Sequence, residues 1–535
     1  MNTKKKIIAL FLTAILSAGM LAGCTPAGYS PSKTDDYYYY ENSGAPMASP
    51  LGGDNYNGSD YKYYYAPQYN FDNEEYAEIT EQGFLSTSIR PLSTFASDVD
   101  TASYANLRRM INDGASSENI PADAVRIEEM LNYFDYDYAA PKNGELFGMT
   151  SQIADCPWNQ DTKLLIMGLA TKEIDYSRIA GSNLVFLIDV SGSMSSPDKL
   201  PLLKKSFKTL VDGLNENDRI SIVTYAGDER LVCEGVPGSE KRELKNAIDR
   251  LSSGGSTNGQ AGLELAYEIA SENYIEGGNN RIILASDGDL NVGISSTDEL
   301  NDYVTTQRET GVYLSVLGFG TGNYKDAKME TLADNGNGAY HYIDCIDEAE
   351  KVFGKDLAAN LVTLAKDVKL QVEFNPAMVK GYRLIGYENR AMKDEDFHNA
   401  AADAGEIGWG HQITVAYELV MFDSKMEIPG SDLKYQDTPD PKNMTEEWLT
   451  CNIRYKAPDT EKGYENTYIV DKQSFTDRPH NDWHFAAAVI ETGMVLRDSE
   501  YLGDASLRQA KKLLGEASLN DRYKKEFAEL LNALR

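Results

Sequence analysis

Three groups of oxygen-bearing side chains each follow an apolar run, and together they have the composition of a site for a hard cation. Residues 183–194, NLVFLIDVSGSM, run from six apolar or near-apolar positions into Asp189, Ser191 and Ser193. One carboxylate and two hydroxyls at alternate positions direct their oxygens the same way if the chain leaves the strand extended, and Gly192 permits a tight turn between them. Residues 252–259, SSGGSTNG, carry Thr257 on a glycine frame, and residues 281–286, RIILAS, lead into Asp287, Gly288 and Asp289. Oxygen ligands of which few are anionic describe a Mg2+ site, or one for Mn2+ or Ca2+, that keeps waters and an open position.

The elements that must position these groups alternate regularly. Runs at 184–188, 219–225, 281–286, 312–318 and 340–343 are too short for helices and read as strands, those at 184–188 and 281–286 apolar enough to be buried on both faces. Between them lie helical spacings: Leu200, Leu203, Phe207, Leu210, Val211 and Leu214; then Leu244, Ala247, Ile248 and Leu251; then Gly262, Leu265, Ala266 and Ile269. Ser296 and Glu299 have the spacing of a capping box for a further helix. The prediction is an α/β domain over 176–360, a doubly wound, mostly parallel sheet with helices on both faces, its ligand at the carboxyl ends of the strands.

DVSGS, the separate Thr257 and the strand-ending SDG resemble the metal-ion-dependent adhesion site of von Willebrand factor type A (VWA) domains. The resemblance implies that Ser191, Ser193 and Thr257 bind the cation directly and that Asp189 and Asp287 hold its waters; Asp289, two residues on, reads as a residue of the site's rim. Ser286 stands where threonine is commoner in that family, which keeps a hydroxyl. A wider resemblance, carried by STFASDVDTASYANLRRMI, PADAVRIEEMLNYFDYDY, STNGQAGLELAY and EFNPAMVKGYRLIGYENR, is to bacterial YfbK-type lipoproteins. It implies an α+β amino-terminal module at 81–175 and a β-rich carboxy-terminal module at 361–535 that ends in helices.

Residues 1–23 read as a secretion signal: Lys4 to Lys6, then an apolar stretch shorter than the ~20 residues that span a bilayer. LAGC at 21–24 resembles a lipobox, which implies cleavage before Cys24 and a lipid on its sulfur, so that the chain is exported and held at the cell membrane. Residues 24–80 are rich in Tyr, Asn, Asp, Gly, Ser and Pro, and read as a disordered tether whose tyrosine runs could also adhere to glycan. The formal net charge of −32 repels nucleic acid and attracts divalent cations or basic partners. Cys156, Cys233, Cys345 and Cys451 form no metal-ligand spacing and read as buried thiols, with one disulfide possible in an exported chain.

Other patterns point to weaker chemistry. Asp98 and Asp100 resemble a phosphatase DxD, but no buried strand is predicted before them and helix capping by Asp100 or Thr101 explains them better. Asp287, Asp289 and Asn291 begin like a calcium loop that Val292 then breaks, and the glycines at 318, 320 and 322 lack the spacing of a nucleotide loop. Ser196 and Lys199 match SxxK without the partner motifs of a penicillin-binding fold, and His480 with His484 lacks a third zinc ligand. Five histidines give an enzyme few general bases.

The expected function is therefore binding, not catalysis: a cation with an unfilled coordination position takes an acidic side chain, Asp or Glu, from a protein partner. Two other functions fit the residues: a metal-dependent envelope hydrolase, and a structural subunit that the cation only stabilises. The helix after about Asp347, last before the β-rich segment, is placed to pass site occupancy to the flanking modules.

Overall fold

The computed structural model describes residues 74–142, 144–174, 181–256, 259–288, 297–322, 324–400, 402–428, 446–458, 460 and 462–534. Its centre is a six-stranded sheet in the spatial order Tyr340–Ile343, Tyr313–Phe319, Asn279–Ser286, Ser182–Asp189, Arg219–Tyr225, Glu229–Pro237, parallel except for the last strand. The chain moves outward from Ser182–Asp189 in one direction, then returns to build the other side from Asn279–Ser286. That reversal opens a crevice at the carboxyl ends of these two neighbouring strands.

The apolar runs are unbroken because both faces are covered. Leu184, Phe186 and Ile188 face helices Leu200–Gly213 and Lys241–Asp249 and the segment after Ile346, while Val185 and Leu187 face helices Gly259–Glu272, Thr297–Arg308 and Asp326–Asn335. Burying a side chain of this size contributes ~1.5–3 kcal/mol, so the twin layers fix the sheet firmly.

The segments before and after this unit do not form separate modules. Strands Leu85–Ser86, Phe147–Asp155 and Lys163–Thr171 share an antiparallel sheet with Val379–Ile385 and Gln412–Met421. Leu92–Ala96 pairs with Thr363–Phe374 in a second sheet that also holds Gly405–Gly408, Glu447–Lys456 and Gly463–Asp471. Leu165, Met167 and Leu169 meet Val368, Leu370, Val372 and Phe374 in the core between the sheets, by packing and not by strand pairing. Leu164 and Ile166 point the other way, into a helical layer of Ala102–Asn112, Ile127–Asn132, Asn481–Leu496, Leu507–Leu514 and Arg522–Ala533. The VWA-like unit is thus inserted in one three-layered body.

Glu491 lies fully buried in that helical layer, where its Oε1 accepts the Ser506 amide at 2.8 Å and its Oε2 has no hydrogen-bond partner among the described residues. Burial pushes its carboxyl up to about 7 against an ordinary 4.5. A raised carboxyl binds its proton more tightly in the folded chain, so its contribution is fully present below pH 4.5 and is lost as pH rises through about 7. Glu491→Gln, uncharged throughout, is expected to gain on the wild type by about 1–2 kcal/mol between pH 5 and pH 8 in urea denaturation. A constant difference across that range would contradict this.

Asp98 and Asp100 are not helix caps. A buried strand, Leu92–Ala96, does precede them, and the Thr101 side chain makes no capping hydrogen bond to Ala102–Asn112. Asp100 Oδ1 instead accepts the Tyr340 amide at 2.8 Å on the edge strand of the central sheet, and Arg390 pairs with Asp100 at 3.0 Å and Asp98 at 3.5 Å. Asp100 ties the central sheet to the surrounding body, and Asp98 shares its arginine.

The segment after Asp347 is interrupted. Helix Ile346–Glu350 passes into a π-turn, Lys351–Lys355, and then helix Leu357–Leu361. Arg108 holds its start through Asp344 and, at 2.8 Å, Glu348. Cys156 and Cys451 are buried and Cys233 and Cys345 half-buried, all four as free thiols.

Candidate metal centre

Asp189 is the last residue of its strand and is fully buried. Ser191 N donates to its Oδ1 at 2.8 Å and Ser286 Oγ to its Oδ2 at 3.2 Å, so the carboxylate braces both the turn that follows it and the neighbouring strand. Burial pushes the Asp189 carboxyl up to about 6, with Asp287 adding to the rise against the hydrogen bonds from Ser191 and Ser286.

The turn Gly192–Ser195 is a single 3₁₀ turn pinned by Met194, which is fully buried on the face of the sheet that carries helix Leu200–Gly213. Ser191 and Ser193 therefore present their hydroxyls together, with Oγ atoms 2.9 Å apart, Ser191 buried and Ser193 exposed. The glycine loop is joined to this turn by two backbone bonds: Gly254 N donates to Val190 O at 2.8 Å and Gly192 N to Gly255 O at 3.2 Å. Gly262 sets the approach of the following helix, since a Cβ there would lie 2.7 Å from Tyr225 Cβ.

Asp287 follows Ser286 directly at the mouth of the crevice. It is 5% exposed, and its Oδ1 has no hydrogen-bond partner among the described residues. Gly288 N donates to Ser286 Oγ at 3.2 Å, and Gly288 takes φ +95°, which turns the chain out of the strand. The other oxygen, Oδ2, accepts from Lys199 Nζ at 2.9 Å.

Asp189, Ser191, Ser193 and Asp287 are thus brought to the carboxyl ends of two adjacent strands. Thr257 and Asp289, Asn291 and Ser296 with them, and Cys24 lie outside the described residues. Ser286 and Lys199 take part without having been assigned there from the sequence. Ser286 was legible as the hydroxyl before Asp-Gly; nothing local marks a lysine bonded to a carboxylate 88 residues on.

The remaining patterns settle as structure. Ser196 Oγ donates to Asp198 and not to Lys199, so SxxK is no serine–lysine pair. His480 accepts the Asp482 amide at 3.3 Å as a helix cap, and His484 Nε2 lies 3.5 Å from Glu516. Among the described residues no three His, Cys, Asp or Glu side chains are grouped to hold a metal. Two adjacent hydroxyls, a buried carboxylate oxygen without a partner and an ammonium already drawn to the same carboxylate fit a hard divalent cation.

Comparison with known proteins covers most of the chain. Residues 183–355 match the profile of the von Willebrand factor type A domain, residues 359–535 that of "Uncharacterized protein YfbK, C-terminal", and residues 70–166 one described as von Willebrand factor. The chain is 44% identical over 470 residues to the uncharacterized protein YfbK of Escherichia coli K12, covering 85% of this chain and 80% of that protein. A von Willebrand factor type A structure from Catenulispora acidiphila is similar over 75% of this chain and 91% of its own, at 15% identity and a TM-score of 0.41. Proximal thread matrix protein 1 of the mussel byssus, solved with zinc in its metal-ion-dependent adhesion site, matches 35% of this chain and 46% of its own at 23% identity and a TM-score of 0.29.

Proposed function

This chain belongs to the YfbK family and carries a VWA domain, and from that premise we propose that it is a lipid-anchored envelope protein that binds a divalent cation and, through it, a carboxylate of a protein partner. The observation that carries the reading is the pair of serine hydroxyls 2.9 Å apart beside two buried aspartates at the crevice of the sheet. Ser191, Ser193 and Thr257 would hold the ion directly, and Asp189 and Asp287 through water; Mg2+ is the expected ion, Mn2+ or Ca2+ its substitutes.

The bound ion would supply positive charge and one exchangeable coordination position. Asp189 fixes the serine turn through the Ser191 amide and ties it to the neighbouring strand through Ser286. Neutral hydroxyls in direct contact leave the ion's charge largely unquenched, whereas a cage of carboxylates would cancel the attraction for an acidic partner.

Anchoring rests on the sequence: a signal ending in LAGC, with Cys24 as the lipid-bearing residue and the residues from 24 to about 73 as the tether. That is shorter than the 24–80 read from composition because residues 74–80 are docked on the folded body, Glu74 pairing with Arg109 at 2.8 Å, the Glu75 amide donating to Tyr324 O at 2.9 Å and the Ile79 amide to Asp123 Oδ1 at 3.0 Å. Among the described residues no helix is long and apolar enough to cross a membrane.

The test is cross-linking of the full-length protein in membranes of its own cells, with Mg2+ and with chelator. One defined partner should be captured only with Mg2+ and be lost when a single Asp or Glu of that partner is changed to Asn or Gln. Capture that ignores chelator would overturn the reading.

A further inference from the structure

We propose that Lys199 is a built-in counter-cation of the metal site: its ammonium holds Asp287 in the cation-free protein and must release that carboxylate when a divalent ion binds. The inference rests on the metal-site reading above and adds a residue that sets how readily the site fills.

Three features build the contact. Lys199 N donates to Ser196 O at 3.1 Å and Lys199 O accepts from Leu203 N at 2.8 Å, which fixes the residue at the entrance to helix Leu200–Gly213. Its stem lies over Gly320, which takes φ +79°; a Cβ at that glycine would stand 2.3 Å from Lys199 Cε and 2.4 Å from Cγ, so only glycine leaves the slot open. Gly320 is itself held, its carbonyl accepting from the Tyr342 hydroxyl at 2.7 Å. The lysine of SPDK and the central glycine of GFGTG thereby meet, and the lysine's ammonium reaches Asp287.

The electrostatics explain why such a group is useful. The Asp287 side chain is 3% exposed and that of Lys199 13%, so neither charge is well hydrated away from the other. Without the ammonium, Asp287 would be left beside the buried Asp189 with no cation from the described residues, a costly arrangement. With it, the cation-free site is compensated in advance. An incoming dication meets an attached competitor at high effective concentration, and the two positive charges repel until the lysine withdraws.

The test compares Mg2+ binding by calorimetry, and Mn2+ binding by the resonance of the free ion, for the wild-type chain, Lys199→Met and Lys199→Gln. Both variants should bind at least tenfold more tightly and melt at a lower temperature than the wild type in chelator. Equal or weaker binding by the variants, with the wild type still binding, would overturn the lysine's role and leave the metal site standing. No binding by any of the three would overturn both.

A second measurement uses the unaltered protein. Acylation mapped by mass spectrometry should find Lys199 protected in chelator and reactive in saturating Mg2+. Unchanged protection would contradict the exchange even if both variants failed to fold.

Discussion

Asp189→Ala is expected to abolish the response of the protein to divalent cations. At a hundredfold excess over its dissociation constant a ligand stabilises the folded state by ~2.7 kcal/mol. For a domain of about 150–250 residues that corresponds to an increase of about 5–11 °C in Tm. Wild-type protein should show an increase of this order on adding Mg2+, and the variant none. The reason lies in what Asp189 braces: without its carboxylate the Ser191 amide and the Ser286 hydroxyl lose their common acceptor, and the paired serine hydroxyls lose their fixed spacing. Binding should weaken by at least two orders of magnitude. An undiminished Mg2+ shift in the variant would place the cation elsewhere.

The second large effect is expected at the junction between the central domain and the body around it. Arg126 is 4% exposed and pairs with Asp326 at 2.7 Å, with Glu129, and with Glu330 at 3.6 Å. Asp326 also accepts from the Tyr340 hydroxyl at 2.9 Å, and Glu129 from the Ser103 amide at 2.8 Å, so the cluster joins two elements of the VWA domain to the helical layer. Arg126→Met leaves three buried carboxylates facing one another and should cost ~3–5 kcal/mol, read as a fall in the urea midpoint. Adding Glu129→Gln and Asp326→Asn should recover most of the loss, because the charges then disappear together. A midpoint unchanged by Arg126→Met would show that the cluster does not hold the junction.

The parts of the fold legible from residue order are those with local causes. Residues 184–188 and 281–286 read as strands covered on both faces because their apolar runs do not alternate, and the strand sends the successive side chains Leu184 and Val185 to separate cores. Strands Phe147–Asp155 and Gly463–Asp471 give a weak signal, since FGMTSQIAD is half-buried through its centre and the outer strand GYENTYIVD exposes most of its length. Helix Leu507–Leu514 is short and carries charge through its middle, which hides it among turns. Asp98 and Asp100 look like caps because a helix follows them. Their partners Tyr340 and Arg390 lie more than two hundred residues away, where no local pattern reaches.

The site divides in the same manner. Asp189, Ser191 and Ser193 are legible because one strand and one turn deliver them all, and Asp287 because a second strand ends in the same style. Lys199 escapes notice because its meaning depends on a carboxylate from one segment and a glycine slot from another. The insertion of the central domain into a shared sandwich follows from strands matched across the chain, such as Leu85–Ser86 with Val379–Ile385.

The most direct measurement is a crystal structure of the protein soaked with Mn2+, with the ion located by its anomalous scattering. The account predicts one peak within roughly 2.0–2.3 Å of Ser191 Oγ and Ser193 Oγ, with Asp189 and Asp287 reaching the ion through water. It also predicts the Lys199 ammonium withdrawn from Asp287. A peak at any other place, or none at saturating Mn2+, would contradict it.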